Sequence, residues 1–339
     1  MSINPPPTPE VVPEEMAIDL ALRPQRWDEY IGQDHIKRNL RILIDAAHKR
    51  KEPIEHVLLS GPAGLGKTSM AHLIAREVNT NIRITSGPAI ERVGDLASIL
   101  TNLSPNDILF IDEVHRLNKL IEEILYPAME SRMLDIIIGK GPSARTIQIQ
   151  LPPFTLVAAT TRIGLLSGPL RSRFGGVFRL GFYSQQDMER IINRSSQILK
   201  MQIDPPAISY IAHSSRFTPR VANRLLKRVR DYALVHDFEM ITVGVAQKTL
   251  ELLDIDQIGL EPMDRKILEL IIEKFNGGPV GIQSIAAASS EDEDTIEEVY
   301  EPYLMQLGLI ERTPRGRVAT QKAYEHLNIK FSSQKSLLL

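Results

Sequence analysis

Gly61-Pro-Ala-Gly-Leu-Gly-Lys-Thr68 is the stretch that decides the fold. It matches the pattern G-x-x-x-x-G-K-[ST], whose glycines let backbone N–H groups approach phosphate oxygens while the lysine reaches the β- and γ-phosphates. The apolar run 56–60 precedes it as a strand, and a helix from Lys67 to about Val78 follows it. That helix presents its positive N-terminal end to the phosphates, and the Thr68 hydroxyl is expected to hold Mg²⁺. This context favours a nucleoside triphosphate site over a plain glycine-rich turn.

Short apolar runs alternate with helical stretches on both sides of this loop. Continuous runs of this kind are typical of parallel strands that are buried on both faces, with helices between them. Residues 17–183 are therefore predicted to form an open α/β domain. Its further strands are expected at 82–85, 108–111 and 154–158.

Asp112 and Glu113 directly follow the run 108–111, at the carboxyl end of a strand, where open α/β sheets bind ligands. Asp112 is expected to join the Mg²⁺ shell, and Glu113 to orient and deprotonate the attacking water. An acidic pair after a strand is often only a solvated strand end, but the preceding phosphate loop favours the functional interpretation.

No guanine-reading N-K-x-D follows, which argues against a GTPase. His115 is interpreted as a surface residue at a helix start, with no metal assigned to it.

The rest of the chain predicts two further domains and two tails. From Gln185 to about Asp254 helical spacing replaces the strand signal, so residues 184–256 are predicted to form a small helical lid, with one helix starting at Asp204-Pro-Pro206. Helices followed by a hairpin predict a winged helix-turn-helix over 257–331. The proline-rich residues 1–16 are predicted to be a disordered tail, and 332–339 a C-terminal tail.

Composition sets broad limits on function. The 339 residues exceed one ordinary core, and 43% hydrophobic with 24% charged residues is typical of soluble globular proteins. A net charge of -2 argues against wholesale wrapping by nucleic acid, although a local basic patch remains compatible with it. The absence of cysteine excludes disulfides and thiolate metal sites. With no apolar run of membrane length and no signal-peptide pattern, we expect a cytoplasmic protein that is not membrane-bound.

Several residues of types that usually lie on the surface have both a functional interpretation and a purely structural one. Arg173, in Pro169-Leu-Arg-Ser-Arg-Phe174, carries a planar fork suited to developing phosphoryl charge, but a surface salt bridge is equally compatible. Arg220 is similarly ambiguous. Ile136, Ile137 and Ile138 precede a Gly139-Lys-Gly-Pro142 turn, and an exposed apolar face there would mark a partner site unless the hairpin packs on its own domain. Arg312, Arg315 and Arg317 crowd one hairpin, as suits phosphate contacts by a wing or simply a soluble surface.

Seven segments together resemble the RuvB family, the AAA+ motors of Holliday junction branch migration. The resemblance covers about residues 18–330, and its hairpin and wing segments are more specific than the phosphate loop. The segments are GPAGLGKT (61–68), LFIDEVHRL (109–117), DIIIGKGPSAR (135–145), LPPFTLVAATTR (151–162), PLRSRF (169–174), TPRVANRLLKRVRD (218–231) and RTPRGR (312–317).

The resemblance implies roles for single residues. Thr161 is the sensor-1 group, Arg173 the arginine finger that enters the ATP site of the neighbouring subunit, and Arg220 the sensor-2 arginine of the lid. A finger supplied in trans implies an oligomer, and the family implies a hexameric ring. Glu113, Arg173, Lys67 and Thr161 are the expected catalytic set. The expected nucleotide contacts are Leu22, Arg23, Gly61, Gly64, Gly66, Lys67, Thr68, Ser69, Glu130, Ser131, Arg132, Arg173, Tyr183 and Arg220.

The resemblance also implies an activity and partners. It implies an ATP- and Mg²⁺-dependent translocase on double-stranded DNA that drives branch migration in recombination and repair. The hairpin with Ile136, Ile137 and Ile138 would dock on a RuvA-type junction-binding protein, and a RuvC-type resolvase is a further candidate partner. Two other hypotheses stay open: another AAA+ machine, such as a clamp loader or replication initiator, and a nucleotide-dependent scaffold that does not hydrolyse.

Three positions depart from the family pattern. Ala63 stands where the family commonly has proline, which loosens the phosphate loop mildly. Phe217 replaces the usual glycine before Thr218-Pro219-Arg220, so a shifted lid hinge is expected. Glu293, in the acidic run 291–294, lies where the family often has arginine, at the start of the expected recognition helix. Carboxylates suit a helix N-terminus but repel phosphate, so the wing is expected to make most of the DNA contact.

Overall fold

The structure is a computed structural model that describes residues 14–138 and 145–331. The first helix, α1 (Glu14–Leu22), begins inside the stretch predicted as an N-terminal tail, so that prediction was too long by three residues. The rest of that tail, the turn 139–142 and the C-terminal tail 332–339 lie outside the described residues. Within the described ranges, no helix is long and apolar enough to cross a bilayer.

The first domain is the predicted open α/β sheet. Five parallel strands lie in the order β2-β3-β6-β1-β7, and a separate antiparallel hairpin pairs β4 with β5. After α1, its elements are α2 (Asp34–Arg50), β1 (Val57–Ser60), α3 (Lys67–Glu77), β2 (Ile82–Ser86), α4 (Val93–Thr101), β3 (Ile108–Asp112), α5 (Lys119–Glu130), β4 (Met133–Ile138), β5 (Arg145–Gln150), β6 (Thr155–Thr160), α6 (Gly168–Ser172) and β7 (Gly176–Arg179).

The central strands are buried on both faces, as their continuous apolar runs predict. Alternation sends Val57 and Leu59 of β1 into one apolar cluster, with α2 and α3, while Leu58 enters a second cluster with α4 and α5. Residues of β3 and β6 divide between the two clusters in the same way. The sheet is therefore held between two helical layers, which leaves its carboxyl edge as the place where loops can form a site.

The predicted helical lid shares a core with the sheet. Met188, Ile192 and Leu225 belong to the same apolar cluster as Leu59 of β1. The predicted helix start at Asp204 is confirmed: its carboxylate accepts a hydrogen bond from the backbone N–H of Ala207 at 2.8 Å. The lid elements are α7 (Gln185–Ile198), α8 (Pro205–His213), α9 (Pro219–Val235) and α10 (Val243–Leu252).

The third domain has the predicted winged-helix architecture and its own apolar core. A buried ion pair ties it to the lid: Arg216 donates to both carboxylate oxygens of Asp264, at 3.0 and 3.2 Å. Its elements are α11 (Pro262–Glu269) with a π-helical continuation (Leu270–Lys274), α12 (Ile282–Ser289), α13 (Glu293–Thr295) with a second π-helical turn (Ile296–Tyr300), α14 (Glu301–Gln306), β8 (Ile310–Thr313), β9 (Gly316–Ala319) and α15 (Gln321–His326).

Candidate functional site

The loop from Gly61 to Thr68 joins the end of β1 to the start of α3. Its lysine is folded back onto the loop: Lys67 Nζ donates to the carbonyls of Gly61 at 2.7 Å and Pro62 at 2.9 Å. Gly64 has φ +78°, and a Cβ there would lie 2.7 Å from Thr218 Cγ2 of the lid. The loop thus packs closely against the lid because it carries glycine at this position.

Lys67 is buried, with 7% of its surface exposed. Burial lowers the pKa of Lys67 to about 8, while the negative charges of Asp112 and Glu113 oppose that effect. Desolvation disfavours the charged ammonium. A bound triphosphate would add negative charge beside the buried lysine and favour its charged form.

The acidic pair lies at the carboxyl end of β3. Asp112 Oδ1 accepts a hydrogen bond from the backbone N–H of Glu113 at 2.9 Å. Glu113 has φ +48°, a left-handed conformation that turns the chain sharply after the strand. Its carboxylate is partly exposed and lies 3.3 Å from Arg116. Glu113 is therefore presented at the rim of the sheet and not buried within it.

Thr161 follows β6, the strand that lies between β3 and β1. This strand order brings the residue between the acidic pair and the phosphate loop. Its neighbour Thr160 hydrogen-bonds His115 Nδ1 at 3.0 Å. The Thr161 hydroxyl donates to Glu298 Oε2 at 3.1 Å. A contact from the winged-helix domain thus reaches the end of β6.

A cavity of about 560 Å³ opens between the carboxyl edge of the sheet and the lid. Thr68 and Asp112 both line it, and hydroxyl and carboxylate oxygens are the hard donors that Mg²⁺ prefers, so these residues fit the expected ion. Among the predicted site residues, the lining includes Leu22, Arg23, Gly64, Gly66, Lys67, Thr68, Ser69, Asp112, Glu113, Thr161, Tyr183 and Arg220.

The lid brings Arg220 to the phosphate loop. The backbone N–H of Arg220 donates to the carbonyl of Gly64 at 3.4 Å. Phe217, at the position expected to shift the hinge, has φ +48° and packs near Tyr303 of the winged-helix domain. A phenylalanine there adopts the left-handed conformation that glycine adopts without strain. The lid keeps its arginine at the loop despite this residue.

Arg173 and Glu130 contact each other, and neither residue lines the cavity. Arg173 Nη2 is 3.1 Å from Glu130 Oε1, its Nη1 donates to the carbonyl of Pro169 at 2.7 Å, and its guanidinium stacks over Tyr126 at 4.5 Å. Ser131 and Arg132 follow Glu130 at the end of α5 and are also absent from the cavity lining. These residues do not meet the nucleotide cavity of their own chain.

The wing residues have different environments. Arg315 is exposed at the turn between β8 and β9, and Arg312 is half-exposed and lies 3.4 Å from Glu297. Arg317 is buried, with Nη2 2.8 Å from Glu301 and 2.9 Å from Glu297. The prediction that Arg317 is offered to DNA phosphate does not fit this arrangement, because its guanidinium is already enclosed by carboxylates.

The hairpin formed by β4 and β5 pairs Ile136 with Ile147. Ile147 is 46% exposed, which agrees with an apolar residue on an open face. The side chains of Ile136, Ile137 and Ile138 lie outside the described residues, so their role remains a prediction.

Sequence reasoning missed three contributors to this region. Tyr30 is buried under the phosphate loop, where its hydroxyl donates to the carbonyl of Leu65 at 3.3 Å. Arg162 and Glu298 join the sheet edge to the winged-helix domain. No spacing in the sequence could have indicated the last pair, because its members lie in different domains.

Comparison with known proteins identifies the family. Residues 22–180 match the model of the Holliday junction DNA helicase RuvB P-loop domain, 183–256 the RuvB AAA lid domain, and 257–328 the RuvB C-terminal winged helix domain. The chain belongs to the RuvB family. The resemblance seen in the sequence and the predicted three-part fold class are thereby confirmed.

Individual RuvB proteins are similar over nearly the whole chain. The Holliday junction branch migration complex subunit RuvB of Dehalococcoides mccartyi is 55% identical over 327 residues, which cover 96% of this chain and 94% of the relative. The Thermotoga maritima RuvB Holliday junction branch migration motor is 49% identical, with a TM-score of 0.85 over 92% of this chain and 100% of that chain. A substituted form of that protein gives a TM-score of 0.86.

The low pKa of Lys67 predicts that ATP affinity depends on pH. In the free protein Lys67 loses its proton above about pH 8, whereas phosphate contact holds it charged in the complex. Binding then takes up a proton, and affinity falls by up to about tenfold per pH unit above pH 8. Titration calorimetry at pH 7, 8 and 9, in buffers of different ionisation enthalpy, measures both quantities. Lys67→Arg, which stays charged, should abolish the proton uptake; a constant wild-type affinity from pH 7 to 9 would contradict the prediction.

Proposed function

We propose that this chain is an ATP-driven motor that translocates double-stranded DNA and drives branch migration of Holliday junctions in recombination and repair. The observation that carries the proposal is the convergence, in one cavity, of the phosphate loop, the acidic pair, Thr161 and the lid arginine Arg220. Membership of the RuvB family, whose relatives are named as branch migration subunits and motors, supplies the DNA substrate. The reaction takes place in the cytoplasm.

The predicted site residues that line the cavity have separate chemical tasks in ATP hydrolysis. The backbone of the phosphate loop and Lys67 bind the phosphates, while Thr68 and Asp112 would hold Mg²⁺, which neutralises phosphate charge when bound. Glu113 orients a water molecule for attack and accepts its proton. Arg220 couples the position of the lid to the nucleotide that is bound. Leu22, Arg23 and Tyr183 surround the nucleotide. Thr161 contacts the γ-phosphate.

A second set of residues acts on the neighbouring subunit. Arg173 and Glu130 lie together and away from the cavity of their own chain, which suits a group that completes the site of an adjacent copy. Arginine supplied in trans stabilises the charge of the transferring phosphoryl group. Ser131 and Arg132 belong to the same trans surface. We propose a homohexameric ring as the assembly in which every cavity receives an arginine.

Partners bind on other surfaces. The hairpin with Ile136, Ile137 and Ile138 docks on a RuvA-type junction-binding protein, and a RuvC-type resolvase acts on the same junction. Arg315 and Arg312 of the wing contact duplex phosphates.

A clamp loader or replication initiator would share the cavity, but the RuvB winged-helix and lid matches favour the branch migration motor. The presence of Glu113, the proposed general base, argues against a scaffold that binds nucleotide without hydrolysing it.

Removing the proposed base separates binding from chemistry. We expect Glu113→Gln to bind ATP within about twofold of the parent but to hydrolyse it at least about 100-fold more slowly, because general base catalysis is lost. Steady-state phosphate release with and without duplex DNA measures this. Glu123→Gln, an exposed carboxylate on α5, is the matched control. Normal DNA-stimulated turnover in Glu113→Gln would overturn the proposed hydrolytic function.

Arg173 is predicted to act across a subunit boundary. Arg173→Ala should keep ATP binding but lose about 10³-fold in hydrolysis, while Arg171→Ala, an exposed neighbour, should remain active. Mixing Arg173→Ala with Lys67→Ala subunits should restore part of the activity, because some interfaces then pair an intact loop with an intact finger. If no mixture recovers activity, the arginine does not act in trans.

The wing is predicted to contact phosphate through Arg315. Arg315→Ala should weaken binding to duplexes of any sequence and reduce the slope of log affinity against log salt by about 1. Fluorescence anisotropy over a salt series measures the slope. Lys330→Ala removes an exposed charge that follows α15, outside the wing hairpin in sequence, and should leave the slope unchanged. An unaltered slope in Arg315→Ala would exclude that contact.

A further inference from the structure

The winged-helix domain contacts two residues that line the nucleotide cavity: Glu261 pairs with Arg224, and the acidic segment of residues 293–301 reaches Thr161. Glu298 of this segment accepts a hydrogen bond from the hydroxyl of Thr161, one of the residues lining the cavity. The next residue, Arg162, forms three ion pairs with the same segment. They join Arg162 to Asp294 at 2.9 Å, to Glu297 at 2.6 Å and to Glu298 at 3.3 Å.

These contacts are partly shielded from water. The side chains of Arg162, Glu297 and Glu298 are 21%, 27% and 26% exposed. Burial acts to raise the pKa of Glu297, but hydrogen bonds from Arg317 and Arg162 outweigh it and lower that pKa below its usual value. A network of charges at this depth is screened less by salt than a single surface pair. The acidic segment is therefore attached to the end of β6 by more than incidental surface contacts.

The hydrogen bond between Thr161 and Glu298 restricts what Thr161 can offer to a nucleotide. A threonine hydroxyl has one proton to donate and two lone pairs to accept with. While the proton points to the Glu298 carboxylate, the hydroxyl has only lone pairs left, and these repel a phosphate oxygen. Contact between Thr161 and a γ-phosphate thus requires that Glu298 give up the hydroxyl.

The charge of Glu298 also reaches the phosphate loop. It is one of the negative charges that act to raise the pKa of Lys67, after the larger effects of burial and Asp112. Glu298 further borders a smaller cavity beside Ala63, Gly64 and Arg220. A triphosphate bound at Lys67 would bring several negative charges close to this carboxylate, and like charges at short range repel.

We propose that Glu298 competes with the γ-phosphate of ATP for Thr161, so that docking of the winged-helix domain on Arg162 and ATP binding oppose each other. The inference rests on the proposed ATPase function of the cavity. ADP, which lacks the γ-phosphate, opposes docking less than ATP does. Glu298, which lies outside the acidic run 291–294 that was expected to disfavour DNA, thereby holds the Thr161 hydroxyl away from the nucleotide until ATP displaces it.

The same segment connects the nucleotide to the wing. Oε1 of Glu297 accepts a hydrogen bond from Arg317 of the wing at 2.9 Å, while Oε2 accepts one from Arg162. Because coupling between two binding events is reciprocal, a ligand that holds the winged-helix domain off Arg162 raises ATP affinity by the same factor by which ATP raises the affinity for that ligand. Duplex DNA on the wing is placed to be such a ligand.

Nucleotide affinity provides the first test. Glu298→Gln keeps the size of the side chain and removes its charge. We expect it to bind a non-hydrolysable ATP analogue about fivefold more tightly, within the usual range of such couplings, and to change ADP affinity by less than about twofold. Glu325→Gln, an exposed carboxylate on α15, should change neither. A purely structural role of Glu298 would leave the ratio of ATP to ADP affinity unchanged, and that result would overturn the proposal.

Domain release provides the second test, and the cysteine-free sequence makes labelling selective. Fluorophores on Ser98→Cys of α4 and Gln306→Cys of α14, both exposed positions, report the separation of the two domains. In full-length protein, energy transfer should change when the ATP analogue binds, and Glu298→Gln should shift it in the same direction without nucleotide. Unchanged transfer at saturating analogue would refute the competition while leaving the ATPase function intact. Failure of the parent chain to bind any nucleotide would overturn both.

Discussion

The arrangement of three buried parallel strands is the constraint on which the rest of this protein depends. Because β6 lies between β3 and β1, the carboxyl ends of these strands are neighbours, and each contributes one part of the site. β1 leads into the phosphate loop, β3 ends in Asp112 and Glu113, and β6 leads into Thr161. Apolar side chains on both faces fix the strands laterally, so the core sets the positions of the polar groups at the strand ends.

The two smaller domains are attached to this sheet by different kinds of interaction. The lid continues the apolar cluster of one sheet face, and such a shared core resists separation because exposing it costs hydrophobic free energy. The winged-helix domain meets the sheet edge through ion pairs at Arg162 and is joined to the lid by the buried Arg216–Asp264 pair. Charged contacts at a partly exposed edge can exchange partners with an incoming phosphate. This contrast underlies the proposal that the winged-helix domain docks reversibly while the lid stays packed on the sheet.

Much of the fold and of the cavity was predictable because short-range patterns encode them. Continuous apolar runs at 56–60, 108–111 and 154–158 predicted the central strands, and all three formed near their expected bounds. The phosphate loop and the acidic pair were predictable because their chemistry depends on adjacent residues. The wing was predicted as a hairpin, but the sequence does not show which of its three arginines is exposed. Packing against Glu301 buries Arg317, while Arg315 stays exposed. Likewise, the acidity of residues 291–294 indicated poor DNA contact but not that Asp294 pairs with Arg162.

The sequence by itself determined that this chain carries a phosphate loop, a strand-end acidic pair, a lid and a winged helix, because each is specified by residues close together in the chain. Only the tertiary structure decided which of these residues meet. It brings Glu298 to Thr161 and Arg220 to Gly64, and it puts Arg173 beside Glu130 and outside the lining of its own chain's cavity. Such pairings depend on how helices and whole domains pack through apolar cores and ion pairs between residues far apart in the chain, which no local pattern records.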